Sequence, residues 1–418
     1  MTRSKTLAAL DIGSTKIAAI IAQTNEEGIL SVIGSASLPS RGIKRGQIVN
    51  IEEATEAIIA AVEAAERMAG LNVNHLWVSG GGPQIISQNS RGVVAVGNPG
   101  GEINEEDIRR VLESAKAISL PASREIIHVI PRQFTVDSQE GIADPSGMSG
   151  IRLEVETHII SASSTALRNL RKCVDELGAH TDGIVFDGLA SAAAVVTPTE
   201  KELGVILIDI GGGTTSVVLY AEGSPIYSSV LPIGAQNITN DLAIGLRLSL
   251  EEAESLKVML GNDKNMKDDK EIELKLGSRQ PNEKKITKKM VVEEIIQPRL
   301  EEIFGMINEE IRRHDYQNLA PAGVVLTGGG AQTISIEETC RRIMALPVRQ
   351  GVPSGLTGLV DDILSPEFAT TIGLIFWGQQ HQPEEFRSNS SRGRKKMPSF
   401  NWRGPLEKVV NFVKSFLP

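Results

Sequence analysis

The sequence contains one strand–turn–strand pattern twice, and about 200 residues separate the two copies. In the first copy, an apolar run at residues 7–12 leads through a turn of Gly, Ser, Thr and Lys into a second apolar run at residues 17–22. In the second copy, residues 205–210 lead through a Gly- and Thr-rich turn into residues 216–220. Short apolar runs bounded by such turns predict buried strands. Because the pattern recurs among alternating strands and helices, we predict an α/β fold with two related halves.

Each copy places an aspartate near the end of its first strand, beside the turn. Glycine lets the backbone approach a ligand closely, and successive N–H groups in such a turn form an anion-binding site to which hydroxyl groups add donors. An aspartate repels phosphate, so Asp11 and Asp209 fit this site only if a hydrated Mg²⁺ lies between carboxylate and phosphate. Two such hairpins facing each other would hold a polyphosphate from both sides.

A single turn of this kind is also typical of a tight β-turn whose aspartate caps a nearby backbone group. Two copies favour a binding site, and so does a third strand-to-glycine junction at Gly328, Gly329 and Gly330, which suits close approach of a base or ribose. The sequence has no GxxxxGK[ST] motif, and no GxGxxG opens the first predicted helix. A Walker-type site and a dinucleotide-binding fold are therefore disfavoured.

Composition narrows the classes of function. The 418 residues carry a formal net charge of −9, which argues against nucleic-acid binding because that requires a basic face. Cys173 and Cys340 form no motif, so we interpret them as buried, reduced thiols. No stretch approaches the roughly 20 apolar residues of a transmembrane helix, and the N-terminus does not resemble a signal peptide. We therefore expect a cytosolic protein whose membrane contact is peripheral.

The amino-acid composition of the C-terminal segment changes at two points. Residues 379–404 are rich in Gln, Pro, Ser, Asn, Gly and Arg, a composition that predicts a disordered basic linker. Residues 405–418 then begin with a proline suited to a first helical turn and repeat apolar residues at helical spacing. The predicted membrane-binding residues of this amphipathic helix, with the tryptophan just before it, are Trp402, Leu406, Val409, Val410, Phe412, Val413, Phe416 and Leu417.

A terminal amphipathic helix can also dock on its own protein or in the groove of a partner. Here a long basic tether precedes the helix, and reversible anchoring needs both apolar burial and attraction to anionic lipid. This combination favours binding to an anionic membrane surface.

The motifs together resemble a known superfamily. The two hairpins, the apolar segment 186–192 between them, the Gly328 turn and residues 370–374 resemble the actin, sugar-kinase and chaperone ATPase superfamily in order and spacing. More narrowly, the sequence resembles the FtsA family of bacterial cell-division proteins. The most diagnostic stretch runs from the HVIPRQ motif at 128–133 through GIADP at 141–145 to RLEV at 152–155. The similarity covers residues 7–377 and resumes at the C-terminal helix.

This resemblance implies an actin-like ATPase fold, with two related halves around a nucleotide cleft, an inserted FtsA-type subdomain and a C-terminal amphipathic helix. The implied boundaries place the first actin-like subdomain at 1–82 and 165–200 and the inserted subdomain at 83–164. The second half spans 201–378 and includes a smaller subdomain at about 240–310. The linker at 379–404 and the helix at 405–418 complete the chain.

The resemblance also implies a function at the cytoplasmic face of the cell membrane, at the division septum. The protein would bind ATP with Mg²⁺, tether the tubulin-like protein FtsZ through the C-terminal tail of FtsZ, assemble into protofilaments and recruit later division proteins. By the same resemblance, the smaller subdomain receives the FtsZ tail. In its sequence, Arg299, Lys288 and Lys289 are cations that could meet an acidic or amphipathic peptide. Two alternatives remain: a small-molecule kinase of the superfamily and a pilus-assembly adaptor of related fold.

Site residues follow from the resemblance motif by motif. Glu254 and Lys257, three residues apart on one helical face, resemble a pair that contacts ribose and base, although an ordinary surface ion pair is the alternative. Asp187 is the candidate for positioning the attacking water, with Asp209 as a second catalytic carboxylate; a helix N-cap is the alternative for Asp187. ATP binding is therefore predicted more firmly than hydrolysis, which we expect to be weak and regulatory. The phosphate and adenosine motifs comprise Asp11, Gly13, Ser14, Thr15, Lys16, Asp209, Gly211, Gly212, Gly213, Thr214, Thr215, Gly328, Gly329 and Gly330, with Asp11 and Asp209 reaching Mg²⁺ through water.

Overall fold

A computed structural model describes residues 5–25, 28–97, 101–262 and 286–381 of the chain. Its strands, in chain order, are β1 Lys5–Ile12, β2 Lys16–Thr24, β3 Leu30–Pro39, β4 Ile43–Lys44, β5 Gln47–Ile48, β6 His75–Gly80, β7 Ile86–Ala95, β8 Arg124–Val136, β9 Gln139–Ile142, β10 Arg152–Ser163, β11 His180–Phe186, β12 Val205–Ile210, β13 Thr215–Ala221, β14 Ser224–Leu231, β15 Val324–Thr327, β16 Val348–Gln350 and β17 Thr357–Gly358. Its α-helices are α1 Ile51–Ala69, α2 Glu105–Lys116, α3 Ser164–Asp175, α4 Asp187–Val195, α5 Pro198–Leu203, α6 Ala235–Leu246, α7 Leu250–Asn262, α8 Lys288–Val291, α9 Gln297–Arg313, α10 Ile336–Met344 and α11 Ala369–Gln380.

The first predicted hairpin lies at the centre of a six-stranded sheet with the order β11-β6-β1-β2-β3-β17. Strands β1, β2 and β3 run antiparallel, whereas β6 and β11 are parallel to β1 on its other side. Helix α1 packs on this sheet through a face of small and branched apolar residues. It begins after Asn50, which caps the helix, and the preceding residues 47–48 pair with 43–44 in a short β-ladder.

The second hairpin lies at the centre of a five-stranded sheet with the order β14-β13-β12-β15-β16. Strands β12, β13 and β14 run antiparallel, and β15 and β16 are parallel to β12 on its other side. The central strand β12 is buried along its whole length, including Asp209, the one charged residue in its otherwise apolar sequence. Both sheets therefore place an antiparallel hairpin beside two parallel strands, and the predicted two related halves are confirmed.

Residues 86–163 contain a separate four-stranded antiparallel sheet with the order β7-β10-β8-β9. Helix α2 packs on this sheet and closes a small apolar core. The sheet meets the edge strand β14 of the second half through polar side chains: the Ser87 hydroxyl donates to the Ser228 carbonyl at 2.7 Å, and the Asn89 amide donates to the Ile226 carbonyl at 3.0 Å. These bonds satisfy backbone groups on an otherwise unpaired strand edge.

Two helices, α4 and α11, cross between the halves. Their closest approach is at Gly373, where an added Cβ would lie 1.7 Å from the carbonyl oxygen of Ala190. Both helices are almost entirely buried and belong to the core cluster that reaches both large sheets. Glycine is required at this crossing because any side chain would force the helix backbones apart.

Gly373→Ala should therefore lower the free energy of unfolding by roughly 1–3 kcal/mol, the usual range for overpacking a close contact. Thermal and denaturant unfolding measure this loss. Gly305→Ala in α9 is the matched control, because a Cβ at Gly305 meets no atom within 4 Å and alanine favours a helix over glycine. Equal unfolding midpoints for the two variants would contradict the tight crossing.

Candidate functional site

The structure brings the two predicted hairpins face to face. Their turns are closed in the same way: the Gly13 N–H donates to the Lys16 carbonyl at 3.0 Å, and the Gly211 N–H donates to the Thr214 carbonyl at 2.9 Å. The turns touch at their tips, since a Cβ at Gly212 would lie 2.2 Å from a methyl carbon of Thr15. Backbone N–H groups and hydroxyls of both hairpins are thus gathered at one place in the cleft between the halves.

Asp209 lies where the hairpins and the crossing helices meet. It is 8% exposed, and its Oδ2 accepts hydrogen bonds from Ser191 of α4 and, at 3.2 Å, from Thr370 of α11. The two hydroxyl groups are also 2.9 Å apart. Gly328 completes the site with a backbone φ of 82°, and a Cβ there would approach Asp209 Oδ1 to 2.3 Å. Glycine is required here for two reasons: the backbone φ is positive, and a side chain would clash with Asp209.

Asp187 is the first residue of α4, and the N-cap position belongs to Phe186, which makes no side-chain cap bond. The N-cap interpretation of Asp187 is therefore wrong. Its Oδ1 accepts hydrogen bonds from the Gly188 N–H at 2.7 Å and from the Ser216 hydroxyl at 2.8 Å. Ser216 pairs with Asp209 in the β12–β13 ladder, so these bonds hold Asp187 beside the second hairpin.

Three carboxyl groups consequently share the cleft, and each has a raised pKa. Enclosure by protein raises the pKa of Asp187 to about 8, with further contributions from the negative charges of Asp209 and Asp11. Enclosure also raises the pKa of Asp209 to about 6, against the hydrogen bond from Ser191. The pKa of Asp11 is raised by enclosure, while Ser79 and Lys16 oppose the shift. Like charges this close disfavour full ionisation unless a cation joins them.

Magnesium fits this site as a hydrated ion. Among the described residues, no set of three His, Cys, Asp or Glu side chains is placed to hold a metal directly. Mg²⁺ commonly keeps several of its waters and binds through one or two carboxylates together with phosphate. The mutual repulsion of Asp11, Asp187 and Asp209 matches an ion held through water.

Lys16, the first residue of β2, directs its ammonium group into the cleft. Its Nζ lies 3.4 Å from Glu367 Oε2 and 3.7 Å from the centre of the Phe368 ring. Sequence reasoning missed Glu367, and it missed Ser191, Thr370 and Ser216 as partners of the carboxylates. Ser191 and Thr370 do fall within the two connecting segments that the sequence singled out, but Glu367 had no such signal.

Glu254 and Lys257 lie on one face of α7 as predicted, and they form an ion pair with Nζ 2.7 Å from Oε2. Lys257 is buried and also donates to the Thr239 hydroxyl at 2.9 Å and the Ala235 carbonyl at 3.3 Å. These bonds join α7 to the start of α6, whose first N–H groups bond the carbonyls of Gly211 and Gly212. The pair is therefore connected to the second hairpin, and its contact with ribose and base stays a prediction.

Of the cations predicted to meet the FtsZ tail, one already forms an ion pair and another is buried. Arg299 forms a bidentate pair with Asp241, at 2.6 and 2.9 Å, and Lys288 is 5% exposed. The exposed surface of the smaller subdomain is instead partly apolar, with Ile244 79%, Val258 52% and Met259 49% exposed.

The predicted membrane-binding residues from Trp402 to Leu417 lie outside the described residues. Among the helices that the structure does describe, none is both long and apolar enough to cross a bilayer.

Comparisons with known proteins agree with this architecture. The family profile "Cell division protein FtsA" matches residues 206–373, and "SHS2 domain inserted in FTSA" matches residues 82–161. "Cell division protein FtsA" of Pseudomonas aeruginosa is 37% identical over 91% of both chains. The protein of that name from Bacillus subtilis is 37% identical over 90% of this chain and 84% of its own length.

Solved structures show the same fold at lower identity. A chain of the "PilM-PilN type IV pilus biogenesis complex" aligns with a TM-score of 0.64 at 16% identity, over 89% of this chain and 98% of its own. MreB5 of Spiroplasma citri bound to ADP aligns with a TM-score of 0.52 at 12% identity, over 92% and 99%. The chain therefore has the actin-like ATPase fold, with its two hairpins facing each other. Among proteins of this fold, the chain belongs to the FtsA family of cell division proteins.

The pKa of Asp187 yields a test of the carboxylate cluster. Because the folded pKa of about 8 lies above the ordinary value of 3.8, the protonated group contributes stability that is complete below 3.8 and lost as the pH rises through 8. Without nucleotide or divalent cation, the free energy of unfolding should fall between pH 6 and about 8.5. Asp187→Asn should remove most of this fall and be more stable by roughly 1–3 kcal/mol at the upper end.

Chemical denaturation across that pH range measures the effect, with the exposed Asp362→Asn as a control for a change of surface charge. Parallel stability curves for wild type and Asp187→Asn would contradict the raised pKa.

Proposed function

We propose that this protein binds ATP with Mg²⁺ in the cleft and tethers FtsZ to the cytoplasmic face of the membrane at the division septum. In this proposal it also assembles into protofilaments and helps recruit later division proteins. The observation that carries the nucleotide site is the meeting of the two hairpins at Asp209. At this place the two glycine-rich turns, their hydroxyl groups and three carboxyl groups lie together.

Each element has a defined role in holding the nucleotide. The backbone N–H groups at Gly212 and Gly213 and the hydroxyls of Ser14, Thr15 and Thr214 donate to phosphate oxygens. The N–H groups of Gly13 and Gly211 close their own turns, and the predicted donor Thr215 already donates its hydroxyl hydrogen to the Ile233 carbonyl at 2.8 Å. Lys16 supplies a positive charge to the phosphates, and Gly328–Gly330 leave room for the adenosine. When bound, Mg²⁺ neutralises charge on the phosphates, while Asp11 and Asp209 orient its water shell.

Hydrolysis is expected to be slow. A residue that orients the attacking water must offer a free acceptor within hydrogen-bond reach. The Oδ1 of Asp187 already accepts two hydrogen bonds, its Oδ2 packs against Gly81, and burial raises the pKa of the group to about 8 in the absence of a cation. ATP therefore serves regulation and assembly more than turnover.

Family membership and the chain's own chemistry support the adaptor role. The relatives are cell division proteins by name, and one fold neighbour is an MreB bound to ADP. The exposed apolar residues Ile244, Val258 and Met259 suit an amphipathic peptide such as the FtsZ tail better than the engaged Arg299 does. The basic linker and the apolar repeat after it suit an anionic membrane surface.

Gly212→Asp tests the nucleotide site. The new side chain would overlap Thr15 and place a negative charge among the phosphate donors, so ATP affinity should fall at least tenfold. Isothermal titration with Mg²⁺ and ATP measures the loss, and Gly305→Ala, far from any contact, should bind like wild type. Unchanged affinity in Gly212→Asp would refute this location.

A matched pair of substitutions tests the membrane anchor. Val410→Glu places a charge on the apolar face of the predicted C-terminal helix, whereas Asn411→Glu adds the same charge to its polar face. Co-sedimentation with vesicles containing anionic lipid should fall severalfold for Val410→Glu and for a chain truncated at Gln379, and only slightly for Asn411→Glu. Equal pelleting of the truncated and full-length chains would rule out the anchor.

A further inference from the structure

The contact between Lys16 and Glu367 joins parts of the cleft that are far apart in sequence. Lys16 belongs to the first hairpin, whereas Glu367 and Phe368 belong to a 3₁₀ turn, Pro366–Phe368, immediately before α11. Within the described chain, the Lys16 ammonium is held by this carboxylate and this ring and makes no closer hydrogen bond. The ion pair is therefore the main restraint on the direction of the Lys16 side chain.

The turn that carries Glu367 is fastened to the predicted adenosine motif. The carbonyl of Pro366 accepts the Gly328 N–H at 3.0 Å and the Thr327 hydroxyl at 3.3 Å. Glu367 lies beside the next glycine, since a Cβ at Gly329 would be 3.7 Å from the Cβ of Glu367. Lys16 thus connects the first phosphate hairpin to the opposite wall of the cleft and to the start of a crossing helix.

A cation paired with a protein carboxylate is less available to another anion. Lys16 is also within the electrostatic influence of Asp11 and Asp209, and enclosure lowers its pKa while Glu367, first among the neighbouring acids, opposes that shift. For Lys16 to pair with a phosphate, it must therefore give up at least part of its contact with Glu367. Competition of this kind lowers the apparent affinity for the incoming ligand.

Resting on the proposed ATP site, we propose that Glu367 is a resident counter-ion of Lys16 that the phosphate of the nucleotide displaces. Glu367 is then a positioning residue that reduces ATP affinity through Lys16. Its release also frees the first hairpin from the turn that precedes α11. The Lys16 ammonium group can therefore pair either with the nucleotide phosphate or with Glu367 across the cleft, but not fully with both.

The proposal predicts the direction in which ATP affinity changes when the charge of Glu367 is removed. Removing the charge of Glu367 frees Lys16 for phosphate and should strengthen ATP binding, whereas a purely structural role for Glu367 would make the same change weaken binding. The side chains of Lys16 and Glu367 are 22% and 41% exposed, so the pair is partly screened by solvent and the gain is modest. We expect roughly two- to fivefold tighter binding at low salt, and a smaller gain at high salt.

The test is a double-mutant cycle on the full chain, with ATP and Mg²⁺ as the titrant. Glu367→Gln should bind ATP two- to fivefold more tightly than wild type, and Lys16→Met should bind it more weakly. In the Lys16→Met background, Glu367→Gln should have little further effect, because its action passes through Lys16. Asp362→Asn, an exposed acid a few residues earlier, controls for loss of one charge and should bind like wild type.

Each alternative outcome is distinct. Equal or weaker binding by Glu367→Gln, with an unchanged thermal unfolding midpoint, would overturn the counter-ion role while leaving the ATP site intact. Equal tightening in the Lys16→Met background would show that the carboxylate repels ATP directly, which also overturns it. A wild-type chain that binds no ATP would instead refute the proposed function, and this inference with it.

Discussion

The carboxylate of Asp209 is the interaction on which the rest of the cleft depends. It belongs to the penultimate residue of the central strand of the second half, and it accepts hydroxyl hydrogen bonds from both crossing helices, through Ser191 and Thr370. A buried carboxylate needs such donors, because an unpaired one would cost several kcal/mol in an enclosed site. The two helices, the end of the strand and the Gly328 turn all contact this one carboxylate, so it positions the walls of the cleft relative to one another.

This arrangement concentrates negative charge before any ligand arrives. The charge of Asp11 raises the pKa of Asp209, and the charges of both raise the pKa of Asp187. Glu367 joins Asp11 and Asp209 as a third acid around Lys16. Such a cleft favours a ligand that brings its own cation, and disfavours a bare anion. A nucleotide with Mg²⁺, as proposed, would meet this condition.

Much of the fold was predictable because its signals are local. The apolar runs around Asp11 and Asp209, with their Gly- and Thr-rich turns, mark the central hairpins, and the duplicated sheet order follows from them. Contacts between distant segments were not predictable. Nothing near Glu367 indicates that it meets Lys16, and the place of Asp187 inside α4 depends on Ser216 and on packing against Gly81. Arg299 likewise looked available until its bidentate pair with Asp241 was seen.

The carboxylates around Asp209 should make nucleotide binding depend on a divalent cation. Equilibrium titration of the full chain with ATP, in parallel with Mg²⁺ and with a chelator, measures this dependence. ATP should bind at least tenfold more tightly with Mg²⁺, and Asp209→Asn should reduce this difference. Equal affinity with Mg²⁺ and with the chelator would contradict it.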